Sequence, residues 1–426
     1  MLQINFIRAH KDRVIDGLKT RNFADKDLAI VDKVIAIDET RRSTQTELDK
    51  SLAESNRISK EIGNLFKKGK REEADVLKNQ VTELKTLQKD LSQKLNEAQD
   101  QLETELLNIP NVPHPSVPAG KLETDNEVYK AWGFDLPEME DTALPHWELA
   151  KKYDLFDMEL GVKITGAGFP LYRGKGAKLQ RALINFFLDE ADAAGYEEII
   201  PPHLVNEASA KGTGQLPDKE GQMYHATKDD LYLIPTAEVP ITNMYRDVIV
   251  TEKDFPIKLT GYTPCFRREA GSYGAHVRGL NRVHQFDKVE IVRIEHPDKS
   301  YEALEGMLRH VESLLGKLEL PYRILRLCGG DLGFTAALTF DFEVYSAAQK
   351  RWLEVSSVSN FETFQTNRLK LRFKDEKGKS HLAHSLNGSA LALARIVAAL
   401  LENNQTADGI KIPNALQAYT KFDMIK

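Results

Sequence analysis

LTGYTPCFRREAGSYGAHVRGLNRVHQFDKVEIVR, residues 259–293, is the stretch whose reading decides the fold. Its outer thirds alternate apolar or aromatic residues with polar ones. Tyr262, Cys265 and Phe266 stand on one side and Val283, Phe286, Val289 and Ile291 on the other, the pattern of two strands. Between them Gly271, Gly274 and Gly279 make a long, permissive connection, so the stretch predicts an antiparallel hairpin. Arg267, Arg268, Glu269, Arg278, Arg282 and Glu290 lie on or beside it. Guanidinium groups are planar, permanently charged and bidentate toward phosphate. Glutamates accept hydrogen bonds from whatever carries that phosphate. Each residue alone fits a salt-bridged solvent face better; the ordered set points to a phosphorylated ligand.

At 426 residues the chain exceeds one typical domain and has length for a large core. Charged residues at 29% and hydrophobic ones at 41% are ordinary for a globular protein. No apolar run approaches the roughly 20 residues that a membrane span needs. The start, MLQINFIRAHKDRVIDG, lacks the pattern of a secretory signal. Two cysteines, Cys265 and Cys328, are too few for a disulfide framework or a cysteine-rich metal site, and fit reduced, intracellular chemistry. A net charge of -6 does not mark a nucleic-acid binder, so any RNA contact falls to local patches.

The first proline is Pro110. From about Asp27 to Leu107 apolar residues recur at heptad spacing. The first half of this segment uses Leu48, Leu52, Ile58, Ile62 and Leu65. After Lys67-Lys68-Gly69-Lys70-Arg71, Leu77, Leu84, Leu91 and Ala98 run seven apart, as do Val81, Gln88, Leu95 and Leu102. Two such helices about a glycine-bearing turn predict an antiparallel coiled-coil arm that projects, because so narrow a seam is no large core. The first 110 residues carry 20 Lys plus Arg against 20 Asp plus Glu, so the basic tip at Lys67, Lys68, Lys70 and Arg71 is local. It is either a solvated helix turn or a reach toward a charged partner. Asn108–Gly120, with four prolines, marks the boundary, giving a helical arm over 1–109, a linker over 110–120 and an α+β body over 121–426.

Within the body, Lys175–Ala194 predicts an amphipathic helix and Tyr196–Ile200 a strand. Gly174 and Gly176 lack the spacing of a nucleotide loop, and GxxxxGK[ST] occurs nowhere, so an ATP site here is of another kind. Thr236 and Glu238 share a face if their segment is extended. Glu354 lies in a β-branched run where a carboxylate holds Mg²⁺ alongside Ser357. Ser389 reads as the N-cap of a helix from Ala390 to Asn403 that carries Arg395.

On TAE (236–238), FRREAG (266–271), RGLNRVHQFDKVE (278–290), EVSS (354–357) and NGSALALAR (387–395), in order and spacing, the chain resembles the bacterial type of the seryl-tRNA synthetase family, within class II of the aminoacyl-tRNA synthetases. GTGQLP (212–217) looks like that family's loop near the active site. The resemblance covers essentially the whole chain. It implies an antiparallel sheet flanked by helices, and ATP-dependent activation of L-serine followed by transfer to tRNA(Ser), with tRNA(Sec) where present. It also implies Mg²⁺, a cytoplasmic homodimer built on residues of about 174–205, and an arm that holds the long variable arm of the tRNA through its tip.

By the same resemblance Arg267 meets the α-phosphate, Glu269 and Phe286 meet adenine, and Arg282 and Arg395 clamp the remaining phosphates, Arg395 also covering the adenine. Glu354 and Ser357 are the metal ligands. Thr236 and Glu238 hold the amino group of serine, and Glu290 with Ser389 its hydroxyl. Arg268, Val355 and Ser356 fall within the ATP motifs and Ala237 within the serine motif. The chain departs from the commoner family pattern in the loop before Arg278-Gly279-Leu280, at Phe361 and at Thr366-Asn367. A class II-like ligase that loads a carrier protein is the nearest alternative, and such relatives lack the arm.

Overall fold

The computed structural model describes every residue except 134, 140–141, 219–220, 270–273 and 275–276. Gly271 and most of the loop that departs from the family pattern lie outside the described residues. Two compact units emerge, one of residues 1–19 with 23–110 and one of residues 20–22 with 111–426.

In the first unit two long helices, Ala29–Lys67 and Arg71–Leu106, run antiparallel, with Lys33 reaching Glu105 at 2.7 Å near one end. No proline interrupts either helix. The first helix stops because Gly69 takes φ +76°, which lets the Lys70 amide bond back to Leu65 and the Gly69 amide to Phe66. Ala74, Leu91, Leu95, Ala98, Leu102 and Leu106 are buried from the second helix, and Val31, Val34, Leu48 and Ile58 from the first. Leu52 is a correction to the sequence reading, since it is 43% exposed and Ser51 takes the seam position. The Ser51 carbonyl accepts the Gln88 amide at 3.0 Å, which satisfies the polar residue on the opposite seam.

The second unit is built on an eight-stranded sheet. Its order is Glu127–Ala131, Tyr322–Arg326, Leu338–Ser346, Arg351–Asn360, His384–Ala392, Gln285–Glu295, Ile257–Phe266 and Glu197–Glu198. All neighbours are antiparallel except the last pair. The expected hairpin is present, with Phe266 opposite Gln285 and Ile257 opposite Ile294. Val289 and Ile291 face helices Gly174–Ala193, Ser300–Lys317 and Leu393–Asn403, joining Leu183, Phe187, Met307, Val311 and Val397 in the main core. Phe361, where the family often has cysteine, also fills this core.

Three local expectations change. The predicted strand at Tyr196–Ile200 pairs only at Glu197–Glu198, leaving Ile200 87% exposed. Thr236–Glu238 is not extended, because a helix begins at Glu238. The last long helix starts at Leu393 rather than Ala390, because Ser389 and Ala392 stay paired with Glu290 and Lys288, so Ser389 is no N-cap. The proline-rich segment packs into the second unit, where the Asn111 amide bonds the Phe334 carbonyl and the His114 amide that of Ala337.

Phe342 is fully buried behind the sheet. Phe342→Ala should therefore destabilise the second unit by about 3–5 kcal/mol. Urea unfolding followed by tryptophan fluorescence checks this, and an unchanged midpoint would contradict the packing described.

Candidate active site

Strand alternation decides which side chains meet. Phe286, Lys288 and Glu290 lie on one face of Gln285–Glu295, two residues apart, while Val289 and Ile291 enter the helical core behind. On the neighbouring strand Cys265, Thr263 and Gly261 stand opposite these three. Gly261 has no alternative at its position, since a Cβ would come 2.6 Å from the Ile199 carbonyl oxygen. Arg267 continues the same face just past the strand. Its amide donates to His284, its Nε to the Pro235 carbonyl at 3.3 Å, and its guanidinium lies 5.3 Å from the Phe286 ring centre. Glu269, in the left-handed region at φ +48°, pairs with Arg282. Both are partly solvated, so the pair is weak enough to exchange for a ligand. Arg268 is exposed, and its amide donates to the Gln222 carbonyl.

Deeper on this face is a buried polar cluster. Glu290, 1% exposed, accepts the Thr236 hydroxyl at 2.8 Å and the Lys288 ammonium at 2.5 Å, both on Oε2. Its Oε1 is buried with no partner. A buried carboxylate oxygen left unsatisfied costs free energy that a hydroxyl or ammonium ligand would recover. Ser389 stands opposite Glu290 in the ladder. Glu238, also buried, accepts Gln365 Nε2 at 2.6 Å. Burial, then the neighbouring Glu290 charge, pushes the Glu238 carboxyl up to about 7. Two carboxylates against one lysine leave the pocket short of positive charge. Ala237 is fully buried in a small apolar cluster beneath it.

At the other end of the face, Glu354 and Ser357 lie three apart, which in a regular strand puts them on opposite sides. An irregularity restores them to one side: Ser357 pairs with Asp341 and Glu354 with Glu343, leaving Val355 unmatched. Val355 enters the core, and the Ser356 hydroxyl donates to the Ser389 carbonyl at 2.6 Å, so neither side chain joins this edge. Asp341 is half-buried and Ser357 hydrogen-bonds to it. Desolvation, then the Glu354 charge, raises its carboxyl well above the ordinary range, and its Oδ1 has no hydrogen-bond partner. Carboxylate and hydroxyl oxygens with an orphaned buried carboxylate beside them fit a hard divalent cation with positions left for phosphate and water. Arg395 reaches this edge, its Nη1 donating to the Glu354 carbonyl at 2.7 Å and its Nε to the Asn281 carbonyl at 2.9 Å.

The tip residues Lys67, Lys68, Lys70 and Arg71 belong to the first unit and are exposed, with Lys70 paired to Glu73. Sequence reading missed Lys288, Gln365 and Asp341. Lys288 was legible as a charge two residues from Glu290 on one strand face. Gln365 and Asp341 carried no local signal, because only folding brings them to the site.

An antiparallel sheet with arginines over one face, backed by helices, is the core of a class II aminoacyl-tRNA synthetase, and residues 222–404 match the tRNA synthetase class II core domain (G, H, P, S and T). Residues 1–113 match the seryl-tRNA synthetase N-terminal domain. The serine--tRNA ligase of Salinibacter ruber is 52% identical, over 100% of this chain and 99% of its own. Seryl-tRNA synthetase from Pyrococcus horikoshii, solved with ATP, superposes with a TM-score of 0.93 at 34% identity, over 100% of this chain and 99% of that one. Cytoplasmic serine-tRNA ligase from Naegleria fowleri, solved with AMP, gives 0.88 at 28% identity with the same coverage. The chain belongs to the seryl-tRNA synthetase family.

The raised Glu238 carboxyl carries a stability consequence. A carboxyl whose folded value, about 7, exceeds its ordinary 4.5 resists ionisation, so the fold loses stability as pH rises between those values. Glu238→Gln should therefore match wild type near pH 4.5 and exceed it by roughly 2–3 kcal/mol at pH 8. Unfolding midpoints across that range measure the difference, and a gap that does not widen with pH would refute the burial argument.

Proposed function

We propose that this chain activates L-serine with ATP to seryl-adenylate and transfers the seryl group to tRNA(Ser), and to tRNA(Sec) where that is present. The observation that carries the reading is the Glu290 pocket, a buried carboxylate with one oxygen satisfied by Thr236 and Lys288 and the other open. It suits a small ligand bearing both a hydroxyl and an ammonium. Glu290, with Ser389 beside it, takes the hydroxyl. Glu238 and Thr236 take the ammonium, whose charge balances the second carboxylate.

In the first step a serine carboxylate oxygen attacks the α-phosphorus, forming an O–P bond while the bond to the bridging oxygen of pyrophosphate breaks. No side-chain nucleophile is needed; positioning and charge stabilisation suffice. Arg267, held by the Pro235 carbonyl and the Phe286 ring, stabilises charge that grows on the α-phosphate. Phe286 stacks on adenine, Glu269 and Arg268 border it, and Arg282 and Arg395 take the outer phosphates. Glu354 and Ser357 would hold Mg²⁺, which when bound neutralises phosphate charge. In transfer a ribose hydroxyl of the terminal adenosine attacks the seryl carbonyl, the ester bond forms as the bond to the adenylate phosphate oxygen breaks, and AMP and the hydroxyl proton leave.

The protein works as a cytoplasmic homodimer. The exposed apolar side chains of Ile200 and Leu204 support an apolar contact between copies near residues 174–205. Among the described residues no helix is long and apolar enough to cross a membrane. The paired helices bind the tRNA, with Lys67, Lys68, Lys70 and Arg71 neutralising its phosphates.

Glu290→Ala should lose serine activation and the preference for serine over alanine together, because alanine bound to wild type leaves the Glu290 oxygen unpaired. ATP–pyrophosphate exchange with each amino acid reads this, and a preserved preference ratio would remove Glu290 from recognition. Replacing residues 27–107 by a short linker should leave adenylate formation within about threefold of wild type while tRNA charging falls at least about a hundredfold. Full tRNA charging by that protein would overturn the role of the helical arm.

A further inference from the structure

The proposed chemistry leaves unused a fully buried hydrogen-bonded pair beside the site. His146 and Glu402 are both 0% exposed and joined at 2.6 Å from Nδ1 to Oε1. The Leu280 amide donates to His146 Nε2 at 2.8 Å, so that nitrogen is the acceptor and the ring proton sits on Nδ1, donated to Glu402. Glu402 is saturated. It also accepts the His146 amide at 2.8 Å, Gln349 Nε2 at 2.9 Å and the Ser346 hydroxyl. Gln349 Oε1 in turn accepts the Asn281 side-chain amide at 2.9 Å.

Four separated pieces of chain converge on this network: the start of helix His146–Tyr153, the turn at Gly279–Asn281, the segment carrying Ser346 and Gln349, and the far end of helix Leu393–Asn403. That last helix carries Arg395 two turns from Glu402, and Arg395 Nε donates to the Asn281 carbonyl. Backbone and side chain of Asn281 are thus held by the network at one end and hold Arg395 at the other. Gly279 is tied in as well. It takes φ +68°, and a Cβ there would lie 2.3 Å from His146 Nε2.

We propose that the His146–Glu402 pair is a positioning device for Arg395, fixing the Gly279–Asn281 turn so that the Asn281 carbonyl orients the guanidinium toward the outer phosphates of ATP. This rests on the assignment of Arg395 to ATP. The pair touches neither substrate; it acts through the turn. Removing it frees the turn and lets Arg395 sample other rotamers, which weakens ATP without disturbing the serine pocket some residues away along the sheet.

The test uses the full-length enzyme and steady-state ATP–pyrophosphate exchange, with KM for ATP and for serine measured separately. His146→Ala and Gly279→Ala should each raise KM for ATP by about tenfold or more and change KM for serine less than about twofold. Glu402→Gln keeps the shape but removes the charge and turns one acceptor oxygen into an NH2 donor, and should give a smaller shift of the same kind. Arg395→Ala is the control. His146→Ala combined with Arg395→Ala should be no worse than Arg395→Ala alone, because the pair has no remaining side chain to position. Multiplied effects in the double variant, or equal rises in both KM values, would show a general structural role and overturn the proposal. If Arg395→Ala itself leaves KM for ATP unchanged, the assignment of Arg395 fails instead. Should His146→Ala lack a cooperative melt, Gly279→Ala and Glu402→Gln carry the same cycle.

Discussion

The site depends on the antiparallel pairing of Ile257–Phe266 with Gln285–Glu295. Pairing fixes register, and register fixes which side chains share a face. One face of Gln285–Glu295 buries Val289 and Ile291 against three helices, so it cannot slip by a residue without placing Lys288 and Glu290 in an apolar core. The hydrophobic requirement on one side therefore enforces the polar arrangement on the other. That is why a site made of charged groups is held more rigidly than its own weak surface pairs could manage.

Charge balance then sorts the polar face. In the deep cluster Glu290 and Glu238 confront a single lysine, and Glu238 responds by holding its proton. At the outer edge Asp341 beside Glu354 shows the same tension. Each end is short of positive charge. Between them Arg267, Arg282 and Arg395 are cationic and engaged by carbonyls and by the partly solvated carboxylates of Glu269 and Glu354. A dianionic or more highly charged chain of phosphates laid across this sequence of carboxylate and guanidinium groups meets favourable charge along its length.

Irregularities in the ladder are as important as its regularity. The unmatched Val355 turns Glu354 and Ser357 to one side, and the shift between Lys288 and Glu290 keeps Ser389 opposite Glu290 while Ala392 remains opposite Lys288. Helix Leu393–Asn403 consequently begins later than its composition suggests, and Arg395 emerges in its first turn beside the Glu354 carbonyl.

The sequence by itself determined the two halves of the chain's character. Heptad spacing from about 27 to 107 gave the paired helices, and alternation with clustered arginines over 259–293 gave the hairpin and its phosphate-seeking face, because both signals are local periodicities of the backbone geometry itself. Tertiary structure decided the rest. Leu52 and Ser51 exchange places in the seam because the partner helix, with Gln88, selects the facing residue. Ser389 stays in a strand because its pairing with Glu290 outcompetes the helix propensity of the alanines and leucines that follow. Asp341, Gln365, His146 and Glu402 join the site or its support from distant positions, and no spacing in one strand or helix records a contact made only when sheet and helices close on each other.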